Sequence, residues 1–177
     1  KIAWMEWSDA AFTKAKREDK LVLLDITAVW CHWCHVMDET SYSDLEIIRM
    51  INERFVPVRV EADQRPDVQS RYLSGGWPTT ALLIPSGEVF WSGTYVPPDQ
   101  LKEVFRKGEQ YYHENKNHIL AEADSFRDKM SQTLSQPAPL PAELEFKAID
   151  EILNSAIRNF DPVHGGFGDG QKFPFPS

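Results

Sequence analysis

Cysteine is scarce in this 177-residue chain: Cys31 and Cys34 are its only two. That excludes a disulfide framework and any zinc site built from two C-x-x-C pairs. No apolar run approaches the ~18–20 residues of a membrane-spanning helix, so no membrane partner is expected. Basic residues are nowhere denser than in Lys14-Ala15-Lys16-Arg17, and the net charge is −8, so nucleic acid is not an expected partner either. No secretory signal is visible, which makes the cytoplasm the expected compartment. The chain opens on Lys1 rather than Met, which leaves an upstream targeting segment open. There is no internal repeat.

What is present is a 42% hydrophobic, globular composition, enough for one ordinary domain and an appendage. The pattern organises around Leu21–Val36, LVLLDITAVWCHWCHV. Leu21–Thr27 is a short, nearly continuous apolar run, as in a strand buried on both faces. A helix is predicted from about Cys31 to Asp38, which puts Cys31 at a strand-to-helix junction. There the free N–H groups and positive helix end favour a thiolate, the nucleophile of disulfide exchange. Cys31 is therefore the candidate nucleophile and the more exposed sulfur. Cys34, one turn on, is the candidate resolving thiol. Asp25, inside the apolar run, is costly to bury without a purpose. His32, between the cysteines, would stabilise the Cys31 thiolate when protonated, whereas His35 faces solvent or the sheet edge. Trp30, Trp33 and Trp77 could form an aromatic rim suited to an extended peptide.

Other elements follow in order. Ser8 caps a helix over Asp9–Glu18. Ser43-Asp44-Leu45-Glu46 fits a capping box, opening a helix to Asn52 with Leu45, Ile48 and Ile51 inward. Phe55–Glu61 alternates as a strand, with Pro57 suggesting an edge or entry position. Pro66 enters a short helix, and Thr79–Ile84 and Val89–Trp91 make a hairpin around Pro85-Ser86-Gly87-Glu88. A long helical stretch runs from Pro97 to about Thr133, with a break or bend at Asn115-Lys116-Asn117-His118. The domain reading is 1–135, then a proline-rich linker at 136–142. Residues 143–177 hold an amphipathic helix, Glu143–Phe160, and the opening of something further. The order predicts an α/β domain with a central mixed sheet flanked by helices, plus a C-terminal helical extension.

That order, with the cysteine pair after the first core strand, resembles the thioredoxin fold. Asp25, six residues before Cys31, resembles the buried carboxylate that assists proton transfer in thioredoxins. Trp30 precedes the first cysteine as in W-C-x-x-C, and Arg59 stands where a lysine is common. Trp77-Pro78-Thr79 resembles the loop whose proline is cis beside the disulfide. More narrowly, W-C-H-W-C-H-V-M, N-E-R-F-V-P-V and G-G-W-P-T resemble the thioredoxin-like domain of the spermatogenesis-associated protein 20 family. Gly165-Gly166-Phe167-Gly168 and Lys172-Phe173-Pro174 resemble the entry to that family's second domain, an α/α-toroid similar to six-hairpin glycosidases and sugar epimerases.

The resemblance implies a thiol–disulfide oxidoreductase with Cys31, Cys34 and Asp25 as catalytic residues, and no cofactor or metal. His32, Trp30 and Pro78 would tune the pair; Trp33, Trp77 and Thr79 would contact substrate. Its partners would be protein disulfides or a thioredoxin-reductase-like electron donor, and the toroid of its own chain. Three alternatives compete. Cys31-His32-Trp33-Cys34-His35 is also the covalent haem signature, against which stand the preceding strand and Trp77-Pro78. Zinc through the same cysteines and histidines is geometrically awkward on one short helix. Third, the domain could be a non-catalytic or redox-sensing interaction module attached to the toroid.

Overall fold

The computed structural model describes residues 1–135 and 146–168. The chain divides into two compact units, Lys1–Asp128 and Lys129–Ser177. The first unit carries the cysteines.

Its centre is β1 (Val22–Thr27), flanked by β2 (Val56–Glu61) in parallel and β3 (Thr79–Leu83) antiparallel, with β4 (Val89–Gly93) beyond β3. The order β2-β1-β3-β4 follows from chain chemistry. A parallel return needs a crossover, supplied by helices α2 (His32–Glu39) and α3 (Leu45–Arg54). The antiparallel return from β3 to β4 needs only the turn at 85–88, where Gly87 adopts a φ of 100°. Pro57 sits in the outermost strand, where its missing N–H interrupts no ladder with β1. The chain's N-terminal segment covers that edge: the Met5 N–H donates to Pro57 O (2.9 Å) and the Arg59 N–H to Met5 O (3.0 Å).

Alternation along β1 sorts the core into two layers. Val22, Leu24 and Ile26 pack with Ala11 and Ala15 of α1 (Asp9–Glu18) and Val68 and Tyr72 of α4 (Pro66–Tyr72); Cys31 and Cys34 join this cluster. Leu23 packs on the other side with Met37, Ile47, Ile51, Phe55 and Phe105. Phe105 belongs to α5, which runs from Pro98 to Ser135.

Three expectations need correcting. The α5 helix does not break at 115–118. Tyr112 and Ala123 are buried on either side, Ile119 and Leu120 pack between them, and the Lys116 ammonium pairs with Asp19 (2.6 Å). Tertiary packing thus outweighs the modest helix penalty of Asn and His. In α3 the cap is Asp44, accepting from the Glu46 and Ile47 N–H groups, not Ser43, whose hydroxyl donates to Asp38 O. The buried face also differs from the expected one: Ile47, Met50 and Ile51 are buried and Leu45 is exposed. Ser8 stands at the α1 cap position but makes no capping bond with its side chain; the hydroxyl donates to Glu6 O.

The division at Asp128 falls inside α5, after its last buried residue, Ala123. The linker 136–142, residues 143–145 of the expected helix and the Lys172-Phe173-Pro174 motif lie outside the described residues. In the second unit, α6 (Phe146–Asn159) exposes Ile149, Ile152, Leu153 and Ile157.

Phe105 is fully buried, its ring 4.8 Å from that of Phe55. Phe105→Ala is expected to lower unfolding free energy by about 3–5 kcal/mol, read from urea titration. A loss under about 1 kcal/mol would mean that α5 is not part of the cooperative core.

Candidate functional site: a disulfide at a helix N-terminus

After Thr27 the chain leaves β1 and turns within four residues into α2. The turn is held from the neighbouring β2–α4 loop: the Ala62 N–H donates to Thr27 O (2.9 Å), and Glu61 accepts from the Val29 N–H (3.4 Å). Cys31 is the N-cap of α2. Its sulfur is bonded to that of Cys34, and the Cys34 N–H donates to Cys31 Sγ (3.1 Å). In the reduced state the same donor and the helix end would stabilise a Cys31 thiolate. Both cysteines are nearly buried, Cys31 at 6% exposure and Cys34 at 3%, so their difference is smaller than the sequence suggests.

The aromatic residues make two separate ring contacts. Trp30 and Trp33 are each 54% exposed. Trp30 meets Trp77 edge-on at 5.1 Å, and its indole N–H donates to Asp63 (2.9 Å). Trp33 lies 5.2 Å from Tyr95, a contact that no sequence pattern pointed to. His32 is exposed and edge-on to Trp33 (5.8 Å). His35 is also exposed, with Nε2 3.0 Å from Val29 O, and so it braces the approach to Cys31. The Trp77–Pro78 peptide is cis. Thr79, expected among the substrate contacts, has a fully buried side chain. Its hydroxyl donates to Gly76 O (2.7 Å) and accepts from the Ser74 N–H (3.1 Å), so it shapes the loop instead.

A polar cluster surrounds Asp25 on β1. This carboxylate is 1% exposed, and register places it beside Arg59 on β2 and Thr80 on β3. Arg59 Nε donates to Asp25 Oδ2 (2.7 Å). The guanidinium's two terminal nitrogens donate to Asp38 on α2. The cross-strand register draws Arg59 inward to Asp25. Its guanidinium carbon lies 4.4 Å from the Trp4 ring centroid and 5.5 Å from that of Tyr42. The Tyr42 hydroxyl is 3.5 Å from Asp25 Oδ1 and 3.1 Å from the Thr80 hydroxyl. Burial pushes the Asp25 carboxyl up to about 6, with Arg59 opposing the rise and Asp38 adding to it. Burial, then the neighbouring Asp25 charge, holds the Tyr42 phenol well above its usual range, so it remains a donor.

Among the described residues no three His, Cys, Asp or Glu side chains converge as a metal set, and no helix is long and apolar enough to cross a membrane. A cleft of about 610 Å³, lined by Tyr72, Glu88, Phe90, Tyr111, His118 and Phe126, among others, holds none of the redox residues.

The Thioredox_DsbH family profile, described as a protein of unknown function, DUF255, matches residues 1–131. The chain belongs to this family. Spermatogenesis-associated protein 20 of Rattus norvegicus is 33% identical over 99% of the chain, which covers 24% of that protein. The chain thus spans about a quarter of the length of the curated relatives it matches. Among solved structures, a thioredoxin from Thermus thermophilus aligns with a TM-score of 0.54 and 23% identity, covering 60% of this chain and 85% of that one. A structure described as DsbH oxidoreductase aligns at 0.55 and 15%, covering 62% and 85%. The fold is thioredoxin-like, with a C-x-x-C pair at its expected junction.

The titration of Asp25 has a consequence for stability. Its folded value is raised from 3.8 to about 6, so the stability due to the neutral carboxyl is full below pH 3.8 and lost as pH rises through about 6. Asp25→Asn cannot ionise. Its stability relative to the parent is therefore expected to rise between pH 4 and pH 7, measured by urea unfolding at both. A constant difference would mean that Asp25 titrates alike in the folded and unfolded chain.

Proposed function

We propose that this chain is a thiol–disulfide oxidoreductase acting on protein disulfides through Cys31 and Cys34. The observation that carries the reading is the cystine at the α2 N-terminus, its first sulfur accepting a backbone N–H, in a domain whose preceding strand buries the Asp25 carboxyl. In the reductive direction the Cys31 thiolate attacks one sulfur of a substrate disulfide. A mixed disulfide forms, the substrate S–S bond breaks, and the departing thiolate takes a proton. Cys34 then gives its proton to Asp25 and attacks Cys31 Sγ, expelling the second substrate sulfur as a thiolate. Two electrons pass to the substrate, and Cys31–Cys34 is left oxidised for a dithiol donor to restore. Trp30, Trp33, Trp77 and Tyr95 would flank an extended, apolar segment around the substrate cystine.

A second reading has one observation in its favour. The relatives are about four times longer than this chain, as expected if the domain is a redox-sensing module serving the rest of a larger protein, such as the toroid implied by the resemblance.

The test is alkylation mass spectrometry of Cys31 and Cys34 across a glutathione or dithiothreitol series, with trapping. The expected result is a reversible intramolecular disulfide, with Cys34→Ser accumulating mixed disulfides and Cys31→Ser not. A midpoint near ~−270 mV would mark a reductase, and one near ~−180 to −120 mV an oxidant or isomerase. Asp25→Asn is expected to slow release of the mixed disulfide on the order of tenfold or more at neutral pH. Thiols that never pair would refute the oxidoreductase. Pairing without turnover of any substrate disulfide would leave the sensor module.

A further inference from the structure

Arg59 is shared unequally. Asp25 receives one hydrogen bond, from Nε, while Asp38 takes both terminal nitrogens in a forked contact. Asp38 lies on α2 four residues after Cys34, one helical turn along the same side, and is 40% exposed while Asp25 is 1% exposed. Trp4 and Tyr42 pack against the guanidinium and hold its plane.

We propose that Asp38 is a positioning residue of the redox site: by occupying the forked end of Arg59 it prevents full pairing of the guanidinium with Asp25, and so keeps Asp25 able to accept the resolving cysteine's proton. One cation between two carboxylates leaves a net negative charge, which protonation of the buried carboxylate relieves. The charged and titratable groups facing Asp25 are Arg59 from β2, Asp38 from α2 and Tyr42 from the short 3₁₀ turn 41–43. The Thr80 hydroxyl, from β3, reaches the cluster through Tyr42. Without Asp38, both the charge and the freed donors of Arg59 go to Asp25, which then holds its proton less well.

The meaning of this inference rests on the oxidoreductase reading, but its test does not. Carboxyl carbon NMR of the oxidised protein follows Asp25 directly, its resonance assigned by loss in Asp25→Asn. The wild-type inflection is expected near pH 6. Asp38→Asn and Asp38→Ser are expected to move it down by about half a pH unit or more, and Asp38→Glu to restore it. An inflection unmoved in both neutral variants overturns the proposal. If the inflection moves while the wild-type protein exchanges no disulfide, Asp38 has its assigned role and the oxidoreductase reading is the one that fails.

Discussion

A carboxylate enclosed in a β-sheet must be neutral or must bring a cation in with it, since an ionised group without a partner there costs several kcal/mol. Asp25 imposes that constraint on everything around it. Parallel pairing of β1 with β2 in one register sets Arg59 directly beside it. A slip of one residue would turn Arg59 to the other face and bring an apolar valine in its place. The N-terminal segment is fixed by the same need. Met5 bridges to β2, and Trp4 then lies over the guanidinium, keeping water off a charge that is already paired.

The cysteine side of the site works by different physics. Among the described residues no charged side chain makes a hydrogen bond to the sulfurs; what acts on them is backbone geometry, a helix N-terminus and a loop fixed from outside. Glu61 and Asp63, both from the end of β2 and the loop after it, hold Val29 and Trp30. The approach to Cys31 is therefore positioned by the strand that carries Arg59. One strand thus supplies both the counter-charge for the buried acid and the brace for the loop that leads to Cys31.

How much of this could be read from the sequence depended on whether the signal was local. The apolar run, the C-x-x-C at its end and Asp25 within it all lie inside sixteen residues, and the strand, the helix and the buried acid stand where that pattern put them. Asp38, Tyr42 and Tyr95 gave no local signal, and Arg59 stood out only through the resemblance. Their importance comes from cross-strand register and from which residues share a helix face, which only the folded chain brings together. The α3 register shows the same limit on a smaller scale. Ser43 and Asp44 are both competent caps, and only packing decides that Ile47 rather than Leu45 faces the core. At Asn115–His118 the local signal misled, because Asn115, Asn117 and His118, three weak helix formers, were judged without the Tyr112 and Ala123 contacts that hold the helix on either side.

The identity of residue 59 follows from the same geometry. An ammonium at this position, the commoner choice in the thioredoxin pattern, is a compact charge that would pair with the buried carboxylate as a point. A guanidinium is planar and forked, so it can give one edge nitrogen to Asp25 while presenting two others to Asp38 in a fixed arrangement. Arginine here and an acid four residues after Cys34 therefore explain one another. The arginine makes a second carboxylate satisfiable, and the second carboxylate keeps the arginine from neutralising the first. Because α2 carries both Cys34 and Asp38 at a spacing set by the helix repeat, the second cysteine and the carboxylate that shares Arg59 with Asp25 are held in one rigid element.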